Sequence, residues 1–453
     1  MKKKINCLPL ICAAFLCLFL SCGSDSSSSS AGSGSVVAGQ IDYTAEECSV
    51  SGQNEFVYRV MNDTYFWYDN VPLVDPLQFD SPEDLLENIL YSDLDRWSYI
   101  ADQDDYYTYY EEGQYIGFGF SLIIDTGADA RIRYVFEGSP ADLNGMERGD
   151  RVLAVNGKTI EEIEAADEWD TIFGEDEVGV DVNLLLEKSD TSQINITLEK
   201  EWVSINTILY HGVFEKNGVK VGYMVFNSFL MTSLNELTPV FTLFKNEGVT
   251  ELVLDLRYNG GGRTVVAKYL ADLIGGKNTE GNIFQKFVHN ENHPDWNSSV
   301  RFSSYSISLD LDRIVVIATG STASASEVVI NGLSPFIDVV IIGDTTSGKP
   351  VGMYGHDFCD KHISLIEFKV ANADDESDYF NGIPPDCIAE DDVTKQFGDV
   401  SEDSLEEALH YIEYNECSEG QRYSSAKRQV LTNDQKTRKK IRRYGLKREI
   451  GAF

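Results

Sequence analysis

Four runs in the second half of the chain, "VGYMVFNSF", "ELVLDLR", "DRIVVIATG" and "DVVIIGD", are apolar, rich in β-branched residues and barely alternate. Strands covered on both faces have this character, and parallel sheets sandwiched by helices are where such strands occur. Between the runs, apolar residues three and four apart predict helices over about 232–246, 263–275 and 324–333. This β-α-β-α order predicts a layered α/β domain with a mostly parallel sheet over residues 204–420. Residues 113–203 have another character. "YIGFGFSLIID", "ARIRYVF", "DRVLAVNGKTI" and "VDVNLLLEK" predict strands parted by Gly, Asp and Asn turns, with one short helix in "SPADLNGMERGD". That is a small, mostly-β insertion. Residues 41–112 are aromatic and acidic with helical spacing, and Ser81-Pro82-Glu83 marks a helix start. No repeat of 20–50 residues is apparent.

Composition adds to this picture. The 453 residues suffice for two or three domains, and 42% apolar with 25% charged content is that of a globular protein. A net charge of −37 argues against a nucleic-acid partner. The segment 421–453 departs from the rest. From Ser424 onward, ten Lys/Arg face only Asp434 and Glu449, a charge of +8 that leaves about −45 on the remainder. Such a tail reads as a solvated extension that can fold onto the acidic body, before lipid or partner binding.

Residues 1–22 have a basic start, an apolar stretch of about 15 residues, and then Ser21-Cys22-Gly23. The stretch is short and runs into the Ser/Gly tether 23–40, so it reads as a secretory signal and not a spanning helix. Ser21-Cys22 resembles a bacterial lipoprotein cleavage site, with Phe19 where leucine is usual; ordinary signal cleavage nearby is the alternative. The resemblance implies lipidation of Cys22 and a membrane held through that lipid, with Gly23 favouring the outer membrane. Cys48, Cys359, Cys387 and Cys417 would then remain in an oxidising compartment. Three pairings are open, and nearness in sequence favours Cys359 with Cys387. No CxxC supports zinc.

In a parallel sheet, ligands gather beyond the carboxyl ends of the strands. Three loops leave such ends: "RYNGGGR", "GSTASAS" and "GDTTSGKPVG". The second sets small residues at a helix N-terminus, where free amides favour developing negative charge, though hydroxyls there also simply cap helices. The first can turn glycine amides inward, as an oxyanion hole requires. In the third, Lys349 stands among Gly348, Pro350, Val351 and Met353, surroundings that suit a base which must be uncharged. "GDTTSGK" also fits the G-x-x-x-x-G-K frame, but Pro350 replaces the Ser/Thr that would hold magnesium and no helix follows, so nucleotide binding is disfavoured. Ser324 lacks a G-x-S-x-G frame, so His356 and His362 read as polar surface or core residues.

Together, "STASASE" with a lysine 25 residues on in "SGK", "LDLRYNGGG" and "GIPPD" resemble the carboxyl-terminal processing peptidases, or tail-specific proteases. "GFGF" followed by "GSPADLNGMERGDRVLAVNG" resembles the PDZ domain such enzymes carry. The likeness spans about residues 50–415. It implies a layered ββα-type peptidase core, an inserted PDZ domain and an N-terminal helical region. It also implies a serine endopeptidase with no cofactor, acting through an acyl-enzyme. By the same resemblance Ser324 is the nucleophile, Lys349 its base, and the amides of Gly261 and Ala325 hold the oxyanion. Gly117, Phe118, Gly119 and Phe120 would bind the C-terminal tails of unfolded or flexible exported proteins as an added strand. Ser321, Thr322 and Ser326 keep packing roles. The family's glutamine four residues after the lysine is Met353 here. Either Thr345, Thr346 or Tyr354 positions the lysine, or catalysis is weakened and the chain is a PDZ-bearing scaffold. The sequence leaves the membrane face and the oligomeric state open, a homo-oligomer included.

Overall fold

The central sheet of the computed structural model has six strands, in the order Ile208–Lys216, Val219–Phe226, Glu251–Asp255, Arg313–Ala318, Asp338–Gly343 and Cys387–Ile388. The first two form an antiparallel hairpin, and every later neighbour pairs parallel. Successive side chains on one strand enter opposite cores. Met224, Leu252, Leu254, Ile314, Val316 and Ile341 join the helices Ser233–Glu247, Thr264–Gly275 and Ala325–Leu333 on one face. Val221, Tyr223, Val253, Val315, Ile317 and Ile342 meet the helix Asp403–Tyr414 on the other. Both faces are dry, which is why the strands lack polar alternation. Each such buried side chain contributes about 1.5–3 kcal/mol. The structure describes residues 45, 47–125, 129–169, 171–421, 446, 450 and 453. The expected secretory signal 1–22 with its Cys22 and the expected tether 23–40 lie outside them, and among the described residues no helix is long and apolar enough to cross a membrane.

The insertion is an antiparallel sheet of Phe120–Asp125, Asp129–Val135, Arg151–Val155, Asp181–Glu187 and Gln193–Glu199, with its own apolar core. Its helices start where local chemistry dictates. Ser139 caps Pro140–Leu143, with proline at the first turn, and Thr159 and Glu162 form a reciprocal capping box on Ile160–Ala166. Entry and exit strands Gln114–Gly117 and Glu201–Ser204 pair with each other, so the domain is carried on a two-stranded stalk. Arg148 reaches out of it to Tyr258 Oη (2.6 Å) and Asp391 Oδ1 (3.0 Å) in the core.

The N-terminal helices Val50–Asp63 and Pro82–Ile89 pack on the hairpin of Val351–Phe358 and Lys361–Ala371, part of a second, antiparallel sheet. As the sequence predicts, the Ser81 hydroxyl accepts from Asp84 N (3.1 Å) at the start of the second helix. The disulfides correct the favoured Cys359–Cys387 pair: Cys48 joins Cys359 and Cys387 joins Cys417. Cys359 sits at the hairpin tip of the second sheet and Cys387 on the edge of the central one, so nearness in sequence places them on different layers. Cys387–Cys417 closes a separation of 30 residues, for which loop entropy alone gives roughly 3–4 kcal/mol. Replacing both cysteines by alanine is expected to lower the urea midpoint of the oxidised protein, and the difference is expected to vanish in reductant.

Candidate active site

The loops after three parallel strands meet at one edge of the central sheet, where hydrogen bonds among them build the site. Ser324 precedes the helix Ala325–Leu333 with φ 53° and ψ −117°. Non-glycine residues enter such backbone regions at a cost of about 1–3 kcal/mol, and only where the surroundings hold them. Here the small hydroxyls do the holding. Thr322 Oγ1 donates to Leu256 O (2.8 Å), the Thr319 hydroxyl to Arg257 O, and Ser326 Oγ to Asn259 O (3.1 Å). Ala323 N also donates to Asn259 O (3.0 Å). Thr322 and Ser326 thus have the structural roles expected of them: they pin the helix start to the glycine loop.

Asn259, fully buried, shapes that loop from beneath. Its Nδ2 donates to Phe226 O (2.9 Å) and its Oδ1 accepts from Gly261 N (2.9 Å). Gly261 has φ 109°, and a Cβ there would lie 2.8 Å from Ser324 Cβ and 3.0 Å from Ala325 N. Only glycine lets the loop lie against the serine. Its N–H, however, is turned to Asn259, so in this arrangement the Gly261 amide is engaged within its own loop. The Ala325 amide is one of the open donors of the helix's first turn.

The lysine loop is tied to both neighbours. Ser347 N donates to Thr322 O (2.9 Å), and Thr346 exchanges bonds with Ile383 of "GIPPD". The decisive group is one the sequence reading left without a role. The Glu327 carboxylate, fully buried, accepts from Ser324 N (2.9 Å), Thr346 Oγ1 (2.6 Å), Gly348 N (2.7 Å) and Lys349 N (2.8 Å). One oxygen, Oε2, takes both the Ser324 and the Lys349 amide, so the two residues hang on a single atom. Burial raises the carboxyl above its ordinary range, against the pull of those four donors.

Lys349 is only 5% exposed. Its Nζ lies 3.1 Å from Met353 Sδ and 5.8 Å from the ring centre of Trp97, a buried residue of the N-terminal region. Neither Thr346, whose hydroxyl serves Glu327, nor Tyr354, whose hydroxyl meets His289 (3.2 Å), is given to the amine by these bonds. His356 pairs with Glu367 and His362 with Asp357 (2.6 Å) on the second sheet, in keeping with their reading as structural residues.

The family model of peptidase family S41 matches residues 220–389, its N-terminal domain model residues 52–99, and the PDZ domain model residues 131–169. The chain belongs to peptidase family S41. A crystal structure of an S41 protease from Bacteroides fragilis superposes with a TM-score of 0.65 at 26% identity, covering 79% of this chain and 97% of that one. Carboxy-terminal processing protease CtpA of Bacillus subtilis is 24% identical over 359 residues, 79% of this chain and 72% of its own length. The carboxyl-terminal-processing protease of Picosynechococcus is 26% identical over 238 residues, 52% of this chain and 55% of its own.

Three residues of this S41 peptidase's site went unassigned in the sequence. Glu327 carries a local signal, since Ser324-x-x-Glu327 has the spacing of a capping box. Asn259 lies inside a loop already singled out. Trp97 carries none, because it comes from another layer of the fold.

Proposed function

We propose that this S41 peptidase is an exported, lipid-anchored serine endopeptidase that engages proteins by their C-terminal tails and cleaves them with a Ser324–Lys349 dyad. What supports the dyad is the shared Glu327 oxygen, which hangs a strained serine and a buried lysine side by side. Uncharged Lys349 takes the Ser324 hydroxyl proton as Oγ attacks the scissile carbonyl. The same proton passes to the departing amine, leaving an acyl-enzyme that water hydrolyses by the reverse sequence. Removal of the amine from water favours its uncharged form, whereas the indole face of Trp97 favours the charged one. Met353 gives the amine a weak thioether acceptor in place of a strong amide oxygen.

The oxyanion would meet the Ala325 amide. Gly261 contributes its amide only by exchanging Asn259 Oδ1 for the substrate oxygen. Anchoring through Cys22 at the bacterial envelope, most simply the outer membrane, follows from the lipoprotein-like site in the sequence.

The dyad predicts that kcat/KM on an unfolded protein rises with pH as Lys349 loses its proton. A rate flat from pH 5 to 9 would remove lysine from the mechanism. The engaged Gly261 amide and Met353 favour a second reading, a weakened PDZ-bearing scaffold; peptide binding without turnover at any pH would establish it.

A further inference from the structure

The PDZ groove of this structure already holds a ligand, and it belongs to the chain itself. Phe453, the last residue of this sequence, donates from N to Phe120 O (2.7 Å), as an added strand does. Its O accepts from Phe118 N (2.9 Å), Gly119 N (2.7 Å) and Tyr115 Oη (3.2 Å). Two adjacent amides and a hydroxyl converging on one oxygen form a cradle suited to a carboxylate. Gly117 makes the approach feasible: a Cβ there would fall 2.9 Å from the Phe453 carbonyl carbon. The Phe453 ring centre lies 4.0 Å from that of Phe173 and 5.7 Å from that of Phe120, so the side chain joins the core of the domain.

The docking has a second foothold. Leu446 and Ile450, both helical and one turn apart, pack on the aromatic cluster that includes Tyr106, Tyr110 and Tyr115 at the base of the PDZ stalk. The tail from Ser424 onward carries +8 against about −45 on the rest of the chain, charges of opposite sign that attract. The basic segment 422–445 itself lies outside the described residues.

We infer that Phe453 is a resident, intramolecular occupant of the PDZ groove, so that an incoming tail must displace it and is selected for a large aromatic terminal residue with a free carboxylate. The inference rests on the tail-binding reading of Gly117–Phe120 and is independent of Ser324 chemistry. A tethered ligand acts at an effective concentration near millimolar, so where the groove binds such a terminus with a Kd of about 0.1 mM or tighter, a free peptide competes at a disadvantage of about tenfold or more.

The test uses full-length protein carrying Ser324→Ala and a fluorescein-labelled peptide of residues 444–453 with a free carboxylate, followed by anisotropy. Deleting Phe453, or changing Phe453→Asp, is expected to tighten peptide binding about tenfold or more. Amidating the peptide terminus is expected to weaken binding to the deleted form to a similar extent. Equal affinity of the intact and deleted proteins would overturn the inference, as would indifference to amidation. A difference that disappears on diluting the intact protein would assign the groove to a second copy, and overturn the intramolecular assignment. Absence of binding to either form would overturn the tail-binding reading of the groove; cleavage by the Ser324 protein in that case would leave the peptidase assignment standing.

Discussion

Ser324→Ala is expected to abolish cleavage of an unfolded protein, by roughly 10⁴-fold or more, while its unfolding free energy stays within about 1 kcal/mol of the parent's. The two halves of this expectation have separate causes. Without the hydroxyl no acyl-enzyme forms, and binding alone supplies little acceleration. The fold depends little on that oxygen, because the strained turn is held chiefly by Thr322, Ser326, Asn259 and Glu327. Alanine keeps the same backbone at φ 53°, with the same cost. Lys349→Met is expected to match the activity loss, since a buried thioether chain fills similar space without a proton acceptor of comparable basicity. Gel-based cleavage together with urea unfolding checks both. Equal turnover by the alanine variant and the parent would sink the nucleophile assignment.

Glu327→Ala is expected to be the most destabilising single change at the site, by about 3–5 kcal/mol in urea unfolding, with activity lost as well. The carboxylate serves four donors at once, three of them backbone amides from two separate loops. Removing it leaves those donors buried and unanswered, and each such group costs about 1–3 kcal/mol. Glu327→Gln separates positioning from bulk stability. It retains one acceptor oxygen and turns an amide donor toward donors, so either the Ser324 and Lys349 amides or the Thr346 hydroxyl and the Gly348 amide lose their acceptor. Its residual activity is expected to show a pH profile displaced from the parent's. An unchanged profile with only a lowered midpoint would reduce Glu327 to a structural residue.

Some of this was legible in local chemistry. Doubly covered strands such as Ile314–Val316 announce themselves because both faces are apolar, and the Ser/Thr and Gly loops stand where such strands end. The cysteine pairing was not legible, because distance along the chain says nothing about which layer Cys359 or Cys387 joins. Nor was the direction of the Gly261 amide, which depends on the buried Asn259 side chain.

The sequence by itself determined the kind of core and the chemical types at its edge: serine at a helix start, lysine among apolar neighbours, glycines where chains must touch. Those follow from periodicity and backbone sterics, which act over a few residues. Only the tertiary structure decided that one glutamate oxygen would hold Ser324 and Lys349 together, that Trp97 would cover the amine, and that Phe453 would fill the PDZ groove. Each is a contact between distant segments, set by how whole layers stack, and no local pattern encodes that geometry.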